Sequence, residues 1–422
     1  MDQIKKRNPW AWVPSLYFAE GMPYIMVNIV SVIMYKRLGI SNTDIALYTS
    51  LFNLPWVIKP FWSPFVDIFK TKRWWIIIMQ FVIGVCFGLV AFSITTDAFF
   101  RNTLVFFWLI AFSSATHDIA ADGFYMIGLR DDQQSFFVGI RSLFYRFAMI
   151  AGQGGVVIMA GYLEQNTGDV KWAWSLSLIV LAVVFCFFFL YHMWILPHPA
   201  IDHERAHIKS ILTDFGKTFE TFFGKPHVIV AILFFLFFRL GEGMLTKMAS
   251  PFLLDSRDVG GLGLSTVEVG WIYGSVGLIF LIIGGLLGGF LASLRGLKFW
   301  IFWMTLAINL PDLVYVYLSW VRPVSIGIIT TCVAIEQFGY GFGFTAFMLY
   351  MIYFAEGEFK TAHFAFSTGL MALGMFIPGV ISGWVQEYIG YPVFFIIVTV
   401  CTIPGFILIR FLKIDPEFGK KK

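Results

Sequence analysis

Charge is scarce in this chain. Asp, Glu, Lys and Arg together make up 13% of 422 residues, too few to cover a soluble domain of that size with a solvated surface. Cysteine is scarcer still. Cys86, Cys186, Cys332 and Cys401 all fall inside apolar runs, so neither a disulfide framework nor a metal site is expected. No G-x-x-x-x-G-K-[ST] loop occurs, which removes a P-loop nucleotide as the energy source, and no cofactor is expected. The only long polar interruption is 197–226, which leaves no room for a soluble domain. The formal charge of +4 means little until it is placed by loop, and no nucleic-acid partner is expected. Met1–Trp12 is short and basic, and the apolar run behind it reads as a first span, not as a cleaved signal.

What is present is apolar bulk. Hydrophobic residues reach 58%, with 49 Phe and a mean hydropathy of +0.78. The apolar runs are about twenty residues long, the length of a transmembrane helix, not the short alternating segments of a β-barrel. The expected fold class is therefore an all-α integral membrane protein with about twelve spans, centred from Pro23 to Thr402. The polar interruption divides them into an N-terminal six-helix half (1–196), a linker loop (197–226) and a C-terminal six-helix half (227–422). Lys5, Lys6, Arg7, Lys70, Lys72, Arg73, the linker and the Lys420–Lys422 tail fall on one side, which places both termini in the cytoplasm.

The halves repeat. Phe18–Met22 reads FAEGM and Leu240–Met244 reads LGEGM, and each is followed about twenty residues later by a capping-box-like start, Ser41–Asp44 and Ser265–Glu268. Tandem six-span halves are the plan of major facilitator transporters, with the substrate site between the halves near the bilayer midplane. Between spans two and three, Ser63-Pro-Phe-Val-Asp67 with Lys70, Lys72 and Arg73 resembles the facilitator loop signature. Asp67, Lys70 and Arg73, with Arg141, are expected to act in gating by weighting the inward and outward states.

The densest chemistry lies in 113–130, SSATHDIAADGFYMIGLR, where His117, Asp118 and Asp122 interrupt an apolar run. Carboxylates inside a span are costly and by default face a cavity or a partner. With span four ending near Leu129 and span five starting near Phe136, Asp118 and Arg146 both lie ~15 Å deep, and Asp122 and Arg141 ~7–10 Å deep. Asp118, Asp122 and His117 are the expected proton-coupling groups; a purely structural ion pair is the competing reading. Glu20 lies at a similar depth in span one beside Gly21 and Pro23. Glu336-Gln337 occupies the place in the second half that His117-Asp118 holds in the first. Glu20, Lys59, Arg146, Glu336 and Gln337 are the expected substrate-binding residues. Arg239 and Glu242, three apart, are expected to neutralise each other, and Lys247 to snorkel to the outer surface. The Gly284-Gly285/Gly288-Gly289 run reads first as a close-packing surface.

Several motifs carry a closer resemblance. Leu54-Pro55 with Lys59, Trp62, Pro64 and Asp67, Ala115–Asp122, Tyr145–Met149, and Thr361–Ala365 through Gly383-Trp384 together resemble AmpG-type muropeptide permeases. His117 and His363 stand where that family usually has Gln. The resemblance implies proton-coupled import of anhydro-muropeptides, which are anionic sugar-peptides, across the bacterial inner membrane by a monomer. Acyl-CoA or another anionic solute is the alternative cargo, since the wider family includes acetyl-CoA transporters. A membrane enzyme acting on lipid-linked sugars would want its acids in loops, and here they lie inside the spans. A non-transporting sensor signalling through 197–226 is a third reading.

Overall fold

The computed structural model describes residues 7–129, 131–199, 202, 208–357 and 360–420; the side chains of 60, 64, 67, 68, 131–136, 138, 139, 208–215, 360–362 and 365 lie outside the description. Every regular element in the described residues is helical. Among the described residues ten helices are long and apolar enough to cross a membrane. The second expected span is not among them, because it breaks into Asn42–Leu51 and Leu54–Ile68 just before Pro55. Expected spans eleven and twelve run together in Phe366–Ile409, which carries a non-helical residue at Gly390 (φ 75°, ψ 165°) ahead of Pro392. Proline lacks the N–H that would continue the helix, and glycine takes the left-handed φ at the bend.

Local chemistry sets the ends. Thr71 accepts from Trp74 N at the start of span three (Lys72–Ile94), and Asp169 accepts from Trp172 N at the start of span six (Val170–Ile195). Ser265 and Glu268 form a reciprocal capping box at the start of span eight (Thr266–Arg295). Each cap satisfies N–H groups that helix geometry leaves without partners. Three spans contain wide π turns: Met26–Val30 in span one (Pro9–Arg37), Ile150–Val156 in span five (Ile140–Thr167) and Gly270–Gly277 in span eight. The first follows Pro23, and the other two lie in glycine-rich sequence.

The chain separates into two compact units. Unit 1 comprises residues 1–34 and 52–212. In it span three packs along span four (Phe99–Gly128) and span six, span one packs along the helix Asp131–Met149 that leads into span five, and Leu54–Ile68 packs on span four. Spans one and five approach closely because Gly21 and Gly152 lack a Cβ. One added at Gly21 would lie 3.0 Å from Tyr145 O, and one at Gly152 would lie 2.8 Å from Ile25 Cγ2. Unit 2 comprises residues 35–51 and 213–422. Span eight packs on span ten (Ile326–Ala355), span seven (Val228–Leu254) packs on Lys360–Val400, and Asn42–Leu51 packs on that same long helix. Gly284 and Gly288 do form a close-packing surface: a Cβ at Gly284 would lie 2.2 Å from Phe338 O.

Both units are built for lipid, with large apolar side chains turned outward: Phe92, Phe187, Trp194 and Leu286 are each at least 60% exposed. Lipid is as apolar as these side chains, so burying more of them offers little drive to pack; small residues and polar contacts between helices do that work.

Candidate functional site

Unit 1 gathers its charges around span four. Asp118 and Asp122 are one turn apart on it, and each takes a different cation. Asp122 Oδ1 lies 3.0 Å from Arg141 Nη1 and accepts from the Tyr17 hydroxyl at 3.2 Å. Arg141 also donates to that hydroxyl at 2.9 Å, and its guanidinium lies over the rings of Tyr17 and Tyr125 at 4.8 and 5.1 Å. Span one thus contributes a ring that both shields the pair and bridges it, combining a charge-assisted hydrogen bond with cation–π contact.

Asp118 is bound by Lys59 of Leu54–Ile68, whose Nζ donates to its Oδ2. Depth sets Arg146 opposite Asp118; the ion pair that the structure shows on Asp118 comes from Lys59 of span two. Arg146 is half-buried on Asp131–Met149. Glu20 is buried on span one, and its side chain meets that of Asp118. Its Oε2 is buried without a hydrogen bond. Glu20, Asp118 and Asp122 thus meet Lys59 and Arg141 within one helix cluster.

His117 points away from this cluster. It is 1% exposed, and its Nε2 lies 2.9 Å from Gln80 Nε2 of span three. Gln80 Oε1 lies 2.8 Å from His192 Nδ1 of span six, and His192 Nε2 lies 2.9 Å from Ser15 Oγ of span one. With the Gln80 amide placed this way, its NH₂ donates to His117 Nε2 and its oxygen accepts from His192 Nδ1–H. One side chain thereby fixes the tautomers of two imidazoles. Four spans are tied by this buried chain, and sequence reading found only His117. Gln80 and His192 were legible solely as lone polar residues in long apolar runs.

Arg141 belongs to the Asp122 pair. Arg73 binds the end of span six, donating to Met193 O and Leu196 O. Asp202 accepts from the backbone N of Lys72 and Arg73 at 2.8 and 3.2 Å, an acid at the positive end of span three. Lys70 is exposed in a left-handed turn at φ 62°. The Asp67 side chain lies outside the described residues.

In unit 2, Glu336 is buried on span ten and accepts from its neighbour Gln337 at 2.9 Å. Arg239 pairs with Glu242, its Nε 2.7 Å from Oε2, and also donates to Tyr340 OH at 2.7 Å. Lys247 does not snorkel. It is 5% exposed, and its Nζ donates to Thr49 at 3.2 Å, because Asn42–Leu51 covers it. A polar cluster that sequence reading missed joins Lys36 to Asp255 at 2.6 Å, Tyr391 OH to Asp255 at 2.6 Å, and Asn42 to Gln386 and Tyr391 at 2.6 and 3.0 Å. His363 bonds Thr221 at 3.1 Å. Among the described residues no three metal-ligating side chains gather.

Comparison with known proteins agrees with this architecture. The BT1 family model matches residues 19–223. A transporter sequence named AmpG 4 from Rickettsia conorii is 25% identical over 415 residues, covering 94% of each chain. The anhydromuropeptide permease of Escherichia coli K12 is 23% identical over 414 residues, 96% of this chain and 80% of that one. Among solved structures, a D-xylose-proton symporter superposes with a TM-score of 0.73 over 98% of this chain and 99% of its own at 9% identity. A POT family transporter in complex with 5-aminolevulinic acid gives 0.73 over 94% and 95% at 11% identity, so both speak to the fold. The chain is similar over most of its length to transporters named AmpG, and it is a multi-span membrane protein with the helical fold of the solved transporters it superposes on.

Proposed function

We propose that this protein imports anhydro-muropeptides across the bacterial inner membrane by proton symport, as a monomer with both termini cytoplasmic. Its halves, 1–196 and 227–422, joined by 197–226, would alternate access to one site. The observation that carries the reading is the crowding of three carboxyl groups in unit 1. Glu20, Asp118 and Asp122 gather in one cluster with Lys59 and Arg141, and a proton on Glu20 relieves the repulsion among the acids. A charge left over inside a span is costly, which makes such a site take up a proton and release it when the cations are drawn elsewhere. Glu20 is the natural carrier, because Asp118 and Asp122 each hold a cation and Glu20 Oε2 holds no hydrogen bond.

An anionic sugar-peptide supplies the competitor. Its carboxylates would draw Lys59 or Arg146, weakening the hold on Asp118 and coupling cargo to proton. Glu336 and Gln337 offer an acceptor and a donor for hydroxyl and amide groups. The likeness to a permease named for anhydro-muropeptides over 96% of this chain supports that cargo. We read the chain as a carrier and assign it no enzymatic step.

The test is uptake of labelled GlcNAc-anhydro-MurNAc tripeptide into proteoliposomes with an imposed proton gradient, using wild type, Glu20→Gln, Asp118→Asn and Arg146→Gln. Accumulation driven by outside acid and abolished in Glu20→Gln and Asp118→Asn is the expected result. No uptake by folded protein, with transport of an acyl-CoA instead, would overturn the cargo. Gradient-independent accumulation would overturn the coupling.

A further inference from the structure

A cavity of about 490 Å³ opens in unit 2, well apart in sequence from the buried acids. Lys225 and His227 line it where span seven begins, Tyr353 where span ten ends, and Lys413 just beyond the last helix, Ile403–Ile409. This is the level at which apolar spans give way to polar turns. Among the described residues the cavity carries two lysines and two histidines, His227 and His363, against a single acid, Glu356. Lys225 is held in place, not free in solvent: its Nζ donates to Phe354 O and Glu356 O, both at 2.6 Å, and lies 5.3 Å from the Phe354 ring centre. Burial pulls its pKa down, with Glu356 opposing, so a bound anion would meet a cation already partly stripped of water.

The wall is apolar on one side. Val230 and Phe411 line the cavity, and near them in the chain Ile229 and Ile407 are 69% and 54% exposed. A soluble anion has no use for that surface. A phospholipid has, because its headgroup sits at the depth of the lysines while its chains run along the outward faces of the spans. Cationic pockets between spans at the polar boundary suit anionic headgroups, and the volume suits a glycerophosphate-sized group.

We propose that this cavity binds the phosphate headgroup of an anionic phospholipid, with Lys225, His227 and Lys413 on the phosphate and the acyl chains along Val230 and Phe411. The occupant pins the chain after Ile208–Phe223 to the ends of spans seven and ten. The lipid is a resident of the bilayer and takes no part in transport chemistry.

The experiment is native mass spectrometry of the full-length protein in detergent, titrated with phosphatidylglycerol, with phosphatidylcholine, and with sodium phosphate. Wild type is expected to retain phosphatidylglycerol in preference to phosphatidylcholine. Lys413→Gln lowers that preference about fivefold and Lys225→Gln/Lys413→Gln by about the square of it, each cation acting on the anionic lipid independently. Lys225 also holds two carbonyls, so Lys413→Gln, with an unchanged melting profile, is the decisive variant. Equal retention of the two lipids, or a preference unmoved by Lys413→Gln, overturns the proposal. Displacement of the lipid by millimolar phosphate assigns the cavity to a soluble anion and overturns it equally.

Discussion

Removing Lys59 should harm this protein more than removing the aspartate it binds. The Lys59 and Asp118 side chains are 29% and 17% exposed, so their pair is sheltered but not dry. Two unit charges about 4 Å apart at an effective dielectric near 20 attract by ~4 kcal/mol. Partial exposure and screening reduce that, and a coupling of about 2 kcal/mol is the working value, or roughly 30-fold in an equilibrium constant. Lys59→Met strands Asp118 beside Glu20, acid against acid. Asp118→Asn strands Lys59, which still has Glu20 and Asp122 in its field. The order of destabilisation is therefore Lys59→Met first, then Asp118→Asn, with the double variant less harmed than the sum of the two. The assay is reversible unfolding in mixed micelles for all four proteins at pH 7. Additivity within ~0.5 kcal/mol would show that the pair contributes no direct coupling. A greater loss in Asp118→Asn would refute the argument from Glu20.

Gln80→Leu leaves both His117 Nε2 and His192 Nδ1 without their partner, at about 1–3 kcal/mol for each buried group, whereas Ser15→Ala removes one bond for about 1 kcal/mol. Unfolding midpoints that place the two variants level would refute the idea that Gln80 organises that chain. In unit 2, Gly341→Ala brings a Cβ within 1.9 Å of Leu281 O and should cost more than the ~1–3 kcal/mol of ordinary overpacking. Gly155→Ala, which meets nothing within 4 Å, should be neutral in the same melting experiment. Arg141→Lys keeps the charge but loses the planar stacking on Tyr17 and Tyr125. Uptake should fall yet exceed that of Arg141→Gln, and equal rates in the two variants would leave the rings without a role.

Much of the architecture was legible before any coordinates. Apolar runs of helical length, broken by capping signals, dictate spans whatever surrounds them, because lipid leaves a backbone no other way to satisfy its polar groups. The Ser265–Glu268 box is a purely local event and formed as its spacing required. Asp122 and Arg141 could be matched in advance because residue count converts directly into depth along a helix axis. The same counting does not single out Lys59 as a cation for Asp118. Arg146 and Lys59 are both deep enough, and depth says nothing about which way a helix is rotated or how it tilts. Packing of Leu54–Ile68 on span four brought Lys59 to Asp118.

Lys247 illustrates the same limit. Its long stem and outer position favoured escape to water, until Asn42–Leu51 lay over it and supplied Thr49. The chain from His117 through Gln80 and His192 to Ser15 joins residues up to 177 positions apart. The Lys36–Asp255–Tyr391 cluster reaches farther still along the chain. Hydrophobic periodicity and residue chemistry therefore determined the membrane class, the spans and the set of buried charges. Tertiary structure alone decided which charges meet, because partners across helices depend on rotation and packing, which a one-dimensional pattern does not contain.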